Sequence, residues 1–310
     1  RAPVWAALLL GSSAAFSAQG ACDRACLEGF VDRYLDAVAV NQPSMVPISQ
    51  NVRFTEDGQR LPLGDGLWNT MKGRGKYRLF VTDVPAGVVT FFGTILEDHR
   101  EPAKFNGSLI SLRLRVNNMQ ITEIEQIVFR FPNETEQQGN FNRTFERVDA
   151  MVTHPLYLQA VPANERMSRA DLIAQSNKYF TGMQKNDGKG DYPFGPSCIR
   201  HENGGQSTSQ PTPAGQTRPD PLTATGYSAQ WNCLEQFQSG LLHFVNRIRD
   251  RRFVAVDQER GITFVFAFFD HSGGETRKFK TPSGRDVVAG PVQPWSWQIA
   301  EIFKVEKGLI

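Results

Sequence analysis

Apolar and polar positions follow a helical period in two well-separated parts of the chain. From Phe30 to Leu35 the apolar residues fall on one face, and the stretch ends near Asn41. From Gln175 to Phe180 the same pattern appears, and this stretch ends near Asn186. The pattern predicts one amphipathic helix in each place.

A third helical pattern runs from Cys233 to Arg249. Its apolar residues are three or four positions apart and predict a core-facing stripe: Leu234, Phe237, Leu241, Leu242, Val245 and Ile248. The arginine-rich run 247–252 would then end this helix, where cations offset the macrodipole, and anion binding would be secondary. His243 lies inside the pattern and is predicted to be a core or boundary histidine.

Two stretches have the pattern of β-strands. Thr122 to Phe129 alternates apolar residues with acids, as a strand with one buried face does. Gly261 to Phe269 is apolar at nearly every position, which predicts a strand that is covered on both faces. One face would line the interior of its domain, and the other would pack against a sister sheet.

The chain contains an internal repeat. Val52 to Gly58 matches Ile199 to Gly204, which sets Arg53 beside Arg200. The step from Asp83 to Gly87 matches the step from Asp257 to Gly261, and both fit a hairpin turn that needs glycine at positive φ. Residues 114–121 match residues 303–310.

The repeat predicts an α+β fold of two tandem cone-shaped domains, packed as a pseudo-dimer within one chain. Each domain would be a curved antiparallel sheet wrapped on N-terminal helices. The expected boundaries are 21–150 for the first domain, 151–167 for a linker and 168–310 for the second domain. The second copy stops where the first continues into a further strand, so we expect it to lack its last strand and to have an open sheet edge. The polar stretch Asn203 to Tyr227 is expected to form a lid or rim.

Composition and charge narrow the class of protein. With 40% hydrophobic and 21% charged residues, the 310-residue chain is globular and long enough for two cores. A net charge of +2, with mixed signs along the chain, argues against a nucleic-acid partner. Residues 1–20 have the pattern of a signal peptide, which predicts a secreted (extracellular or periplasmic) protein that leaves the membrane after cleavage. The alternative is a retained membrane helix.

The four cysteines fit an oxidising compartment. We expect Cys22 to pair with Cys26 and Cys198 with Cys233, because the first pair is one helical turn apart and the second closes a long polar loop. No histidine has finger-like spacing to them, so no metal site is predicted. Three sequons would be glycosylated in a eukaryotic host: those of Asn106, Asn133 and Asn142.

The order of helix, strand, loop-helix and curved antiparallel sheet resembles the nuclear transport factor two-like superfamily. That superfamily includes SnoaL-type polyketide cyclases, ketosteroid isomerase and scytalone dehydratase. The segments Cys22 to Leu27, Val52 to Gly58 and Gly64 to Trp68 are also similar to an uncharacterised family of secreted fungal and bacterial proteins. The resemblance implies the cone fold, and its catalytic motifs match no position in this sequence.

Polar residues of the repeated segments should meet at the open end of each cone. In the first copy these candidate ligand-binding residues are Tyr34, Arg53, Glu56, Asp57, Asp65 and Trp68. In the second copy Asn203 is a candidate ligand-binding residue, and the candidate catalytic residues are Tyr179, Arg200, His201 and Glu202. On a strand, Arg200 and Glu202 share one face while His201 faces the other way.

Glu202 is the first candidate for a general base. An apolar cavity would raise its pKa, and Arg200 or Tyr179 would stabilise an enolate-like anion. The alternative is that Arg200 and Glu202 form a structural ion pair.

Two further groups are candidates at the rim of the second sheet. His271 ends the long apolar strand and is a candidate catalytic residue that could pair with Asp257 or Glu301; the alternative is a solvated turn. Trp295 and Trp297 share a face and could stack on a sugar or an aromatic ligand, or could pack in the core.

Two function classes remain open. One is a cofactor-independent lyase, dehydratase or isomerase acting on a small molecule in the cone cavity. The other is a non-catalytic, secreted small-ligand-binding or interaction protein. The sequence has no nucleophile elbow, phosphate loop, dinucleotide fingerprint or metalloprotease helix, which argues against hydrolase, kinase and dehydrogenase chemistry.

Overall fold

The structure is a computed structural model, and it describes residues 22–98, 107–131 and 144–310. The predicted signal residues 1–20 and the sequons of Asn106, Asn133 and Asn142 lie outside the described residues. The fold is mixed α+β, with most of the regular structure in sheets. In the described part of the chain, no helix is both long enough and apolar enough to cross a membrane.

In the first half, the described residues between 22 and 150 form one six-stranded sheet and three α-helices. The helices are α1 (Arg24–Ala39), α2 (Leu67–Thr70) and α3 (Phe145–Asp149). The strands are β1 (Ile48–Glu56), β2 (Gln59–Arg60), β3 (Met71–Asp83), β4 (Val88–Glu97), β5 (Ser108–Asn117) and β6 (Gln120–Arg130). Their order in the sheet is β2-β1-β6-β5-β4-β3, and only the β1 and β6 pair is parallel.

Helix α1 forms where the apolar period predicted it. The Asp23 side chain accepts a hydrogen bond from the Cys26 N–H (2.9 Å) and caps the N-terminus. One face of the helix is fully buried against the sheet, including Phe30, Val31 and Tyr34. This packing closes the first interior.

The second half, residues 168–310, contains two helices and three small sheets. The helices are α4 (Arg169–Lys185) and α5 (Cys233–Gln238). The strands are β7 (His201–Glu202), β8 (Gly205–Gln206), β9 (Val245–Asp257), β10 (Ile262–His271), β11 (Lys278–Lys280), β12 (Asp286–Val288) and β13 (Trp295–Lys304). The main sheet has the order β13-β10-β9, with β13 at one edge.

The prediction of one helix from Cys233 to Arg249 is wrong. Helix α5 ends at Gln238, and Gly240 has a left-handed backbone (φ 70°) that no continuing helix accepts. The remainder of the segment is a turn followed by β9, which pairs with β10 along its length. The arginine run therefore lies on a strand and caps no helix. His243 is exposed in the turn and stacks on Phe279, with 4.2 Å between ring centroids.

The repeated turns have matching geometry. Gly87 and Gly261 have φ values of 61° and 62°, and each follows a strand that ends at the predicted aspartate. The Gly87 carbonyl accepts from the Val116 N–H and the Gly261 carbonyl from the Val305 N–H, both at 2.8 Å. A strand thus passes each turn at the same place.

The strand registers define which residues correspond in the two halves. Val88 pairs with Arg115, and Ile262 pairs with Lys304, directly after the two glycines. Three residues further along, Phe91 pairs with Leu112 and Val265 pairs with Glu301. Glu301 therefore occupies the position that Leu112 has in the first half.

The short hairpins correspond in the same way. Glu56 pairs with Gln59 and Glu202 with Gly205, and both turns carry two residues at positive φ. By this register, Glu202 is the equivalent of Glu56, and Arg200 is the equivalent of Phe54. The sequence match that aligned Arg200 with Arg53 is displaced by one residue.

The two sheets pack on each other across the halves. Strand β10 is buried on both faces, as its sequence predicts. Its outer face joins a cluster with residues of β3 and β4, whose buried members are Val81, Val88, Ala255, Ile262, Phe264 and Phe266. The cysteines form the two expected disulfides, Cys22–Cys26 and Cys198–Cys233.

Candidate functional site

The interior of the first half holds a polar network that connects α1, β1 and β6 by hydrogen bonds, with the Trp68 Nε1–H buried beside it. The Tyr34 hydroxyl donates to Gln126 Oε1 (2.9 Å), and Gln126 Nε2 donates to Glu56 Oε2 (2.9 Å). The Leu67 N–H also donates to Glu56 (2.8 Å). Trp68 packs edge-on against Tyr34 at 5.5 Å. Three of the predicted first-copy residues therefore meet inside, in a network that bonds to itself.

The other first-copy candidates lie outside this interior. Arg53 is exposed, because the alternation of β1 turns it away from Phe54 and Glu56. Asp57 is in the hairpin turn and accepts from the Val128 N–H (2.9 Å). Asp65 is exposed. These three residues are not part of an interior site.

The interior of the second half brings together five polar side chains from four places in the chain. Helix α4 supplies Tyr179, β7 and the residue before it supply Glu202 and Arg200, the long loop supplies Tyr227, and β13 supplies Glu301. Arg200 lies among the other four and interacts electrostatically with each of them. We call these five residues the Arg200 cluster.

A short framework holds the hairpin that carries Arg200. The Cys198–Cys233 disulfide joins its base to α5. The Arg200 N–H donates to Thr208 Oγ1 (2.8 Å), and Gln236 Nε2 donates to the Ser207 carbonyl (2.5 Å). A capping box between Asn232 and Glu235 fixes the start of α5.

Arg200 remains a cation in this environment. Burial disfavours its charged form, but the nearby phenols and carboxylates outweigh that effect and raise its pKa. One guanidinium nitrogen, Nη2, lies 3.5 Å from Glu202 Oε2. The ion pair expected as the alternative for Glu202 is present, so an unpaired Glu202 base is not what the geometry provides.

Glu301 is the acid with a strongly altered proton affinity. Burial raises its pKa to about 7, and the positive charge of Arg200 only partly opposes this rise. Its neighbours on the same face of β13, Ile299 and Phe303, pack in the second core. A carboxyl group in such surroundings exchanges a proton near neutral pH.

Two buried tyrosine hydroxyls near Arg200 donate no hydrogen bond to the described residues. They belong to Tyr179 and Tyr227. Burial raises the pKa of Tyr179 and raises that of Tyr227 to about 12, so both remain protonated donors at neutral pH. Buried donors are normally satisfied by protein, water or ligand. Their convergence beside one cation indicates an acceptor that comes from outside the chain.

Aromatic rings enclose Tyr179. Its ring centroid lies 5.1 Å from that of Phe303, 5.3 Å from that of Phe237 and 6.3 Å from that of Phe194. The Arg200 cluster is therefore a polar group set in an apolar wall, as in small-molecule sites.

The remaining second-copy candidates are separated from the cluster. His201 is exposed and faces away from Arg200 and Glu202, as the alternation predicts. Asn203 is in the hairpin turn with φ 45°.

His271 is a buried strand residue and not part of a solvated turn. Its ring stacks on Trp295 with 4.0 Å between centroids, and Trp297 lies 4.9 Å from Trp295. Burial lowers the pKa of His271. The expected pairing with Asp257 does not form, because Asp257 lies opposite Ile262 at the other end of β10.

Glu301 and Tyr227 are the cluster members that the sequence reasoning missed as first candidates. From the sequence alone, Glu301 is only a possible partner for His271, and Tyr227 is only the end of a loop. The signal for Glu301 was in the repeat itself, because aligning 303–310 with 114–121 and counting back two residues sets Glu301 against Leu112. No local signal marked Tyr227.

The donor types present do not point to a metal or cofactor. Among the described residues, no three His, Cys, Asp or Glu side chains group as a metal site requires. Arg200 and the two phenols are donors of hydrogen bonds, which suits an oxygen-bearing organic molecule better than a cation.

Comparison with known proteins gives a match in the second half. Residues 165–310 match the model of a family described as a domain of unknown function (DUF8021). The matched region contains all five residues of the Arg200 cluster. No curated protein and no solved structure matches the chain.

Proposed function

We propose that the two halves are cone-shaped domains of the nuclear transport factor two-like class, packed as a pseudo-dimer, and that the second one is a proton-transfer site. The activity would be that of a cofactor-independent lyase, dehydratase or isomerase on a small carbonyl compound. The two disulfides accord with secretion.

One observation carries the proposal. At two corresponding interior positions, the first half has Phe54 and Leu112, both almost fully buried, and the second half has Arg200 and Glu301. Burying charges in place of core side chains costs stability unless the charges are paired and hydrogen-bonded, so packing alone does not account for them here. The first half is an internal reference that shows what the fold alone requires at these positions.

The chemistry follows from the positions of the groups. The Glu301 carboxylate takes a proton from the carbon next to a carbonyl, and the electron pair of the C–H bond moves onto the carbonyl oxygen. Arg200 and the hydroxyls of Tyr179 and Tyr227 stabilise the resulting oxyanion. Glu301 then returns the proton to another carbon, which is isomerisation, or to a leaving hydroxyl, which departs as water.

The proposal is tested by hydrogen exchange in D2O. Ketones and β-hydroxy ketones are incubated with the protein, and NMR follows loss of the α-proton signal. We expect exchange above the buffer rate, increasing with pH through about 7, and a loss of about 100-fold or more in Glu301→Gln. Exposed Glu275 provides the matched control, and Glu275→Gln should exchange like wild type. Equal rates in Glu301→Gln and wild type would rule out this mechanism.

A second candidate is a non-catalytic carrier. The Arg200–Glu202 ion pair favours it, since that pair neutralises the cation without any chemistry. In that case, ketone ligands would saturate the site in calorimetry and show no exchange above the buffer rate.

A further inference from the structure

The first half has an open groove along the outer side of its core. The groove has a volume of about 820 Å³, within the range of ligand sites, and lies between the segment after α1, β1 and the segment after β2. Its lining contains an aliphatic stretch, formed by Val46, Ile48, Val52, Leu61 and Leu63, and the neutral polar residues Ser44, Ser49 and Gln50. Phe54, 2% exposed, also lines it.

Charge in the groove has one sign. Arg60 is the only charged residue among the described residues that line it. Arg60 is exposed, and no acidic side chain in the described ranges lies within ion-pair distance of it. An aliphatic channel with a single cation complements an aliphatic chain that ends in an anion.

We propose that this groove binds a single-chain amphiphile with a carboxylate head, a medium- or long-chain fatty acid. The chain lies along the aliphatic wall, and the carboxylate is paired with Arg60. This inference is independent of the proton-transfer site, because none of the groove residues belongs to the Arg200 cluster.

Calorimetry with dodecanoate below its micelle concentration and dodecanol below its solubility limit tests the proposal. Dodecanoate should bind more tightly than dodecanol, and affinity should rise about two- to fourfold per methylene from octanoate to dodecanoate. Arg60→Gln should weaken dodecanoate about fivefold and leave dodecanol unchanged. Exposed Arg247 provides the control, and Arg247→Gln should bind like wild type.

A second pair of variants tests whether the alkyl chain of the ligand lies in the groove. Val52→Asp puts a carboxylate in the groove and should weaken dodecanoate more than tenfold, whereas Val40→Asp, at an exposed position outside the lining, should not. Circular dichroism checks that each variant is folded. No binding by wild type, or full binding by Val52→Asp, would overturn the proposal. Loss of dodecanoate binding in Glu301→Gln would overturn it too, by moving the ligand to the other half.

Discussion

Glu301 and Leu112 show how one interior position can serve two purposes. Each lies on the strand that passes the Asp-to-Gly turn of its half, four residues before the valine, Val116 or Val305, whose N–H donates to the turn glycine. Leu112 is fully buried in the first core. Glu301 has polar neighbours in Arg200 and Glu202, but burial still disfavours its ionised form. The second half therefore has a residue that weakens the fold at neutral pH.

The cost of Glu301 should appear in the pH dependence of stability. Its pKa rises on folding from an ordinary 4.5 to about 7, so folding favours the protonated carboxyl. The contribution of the protonated Glu301 carboxyl to folding stability is complete below pH 4.5 and is lost as the pH rises through 7. We expect wild type to lose about 2 to 3 kcal/mol relative to Glu301→Gln between pH 4.5 and 8.

Urea unfolding of both proteins at the two pH values measures this difference. The comparison cancels every group that titrates equally in the two proteins. Arg200 and Glu202 are the charged groups that interact with Glu301, and both are kept in the variant. Parallel stability curves would mean that the Glu301 carboxyl is not buried as described.

The two corresponding tyrosines provide a second test at single residues. Tyr34 donates to Gln126, whereas the Tyr179 hydroxyl has no partner in the described part of the chain. Tyr34→Phe should therefore cost about 1 to 2 kcal/mol of unfolding free energy, because Gln126 loses a buried bond. Tyr179→Phe should be neutral or stabilising. Thermal and urea unfolding of the two variants decide the point, and equal losses would contradict it.

At the level of elements, the sequence predicted what depends on local chemistry. The Asp-to-Gly turns needed glycine at positive φ, and the structure has it at Gly87 and Gly261. The amphipathic faces of α1 and α4 are buried as expected. Both disulfides join the cysteines that spacing had paired.

What the sequence could not predict depends on distant pairing. The apolar spacing from Leu234 to Ile248 fits a helix, but Gly240 interrupts it and β10 pairs with the later part as a strand. The one-residue displacement of Arg200 against Arg53 could be corrected only by hairpin register. Tyr227 lies near Arg200 because of the path of a long loop, and the local pattern of apolar and polar residues does not predict such a path.

The two disulfides should differ in their effect on stability. Cys198 and Cys233 are 35 residues apart, whereas Cys22 and Cys26 are 4 apart. In the chain-entropy description, removing the Cys198–Cys233 disulfide should cost about 4 kcal/mol, and removing the Cys22–Cys26 disulfide should cost about 2 kcal/mol. Double Cys→Ala variants of each pair, unfolded in urea, measure this. The variant that lacks Cys198 and Cys233 should also lose ligand binding at the Arg200 cluster, because that disulfide holds the hairpin that carries Arg200.

At the level of the whole molecule, two equivalent ion pairs connect the halves. Arg24, in the first turn of α1, contacts Asp257 at 2.6 Å, and Arg169, in the first turn of α4, contacts Asp83 at 2.5 Å. Each aspartate is the last residue of the strand before a repeated turn, and both carboxylates are buried. Asp83 also accepts from the Val256 N–H across the halves (2.9 Å). The helices and turns are thus tied reciprocally.

Breaking either tie should destabilise the whole chain. Asp257→Asn and Asp83→Asn each leave an arginine facing a neutral amide in a partly buried place, so we expect a loss of about 2 to 3 kcal/mol apiece. Lys278→Gln, which breaks an exposed pair with Glu275, should cost less than about 0.5 kcal/mol. Urea unfolding of the three variants is the measurement. A fluorescence probe in each half would follow its unfolding separately. If only one half lost stability, the ion pairs would not stabilise both halves together.

These ties make the covalent link between the halves dispensable once folding is complete. The segment from Pro162 to Arg166 is exposed, and it carries little of the packing that the sheets share. A chain nicked at a protease recognition site inserted there should elute as one particle in native buffer and separate into two fragments only in denaturant. The protein would then behave as a complementing pair of fragments, in which each fragment serves as the folding template that keeps the other intact.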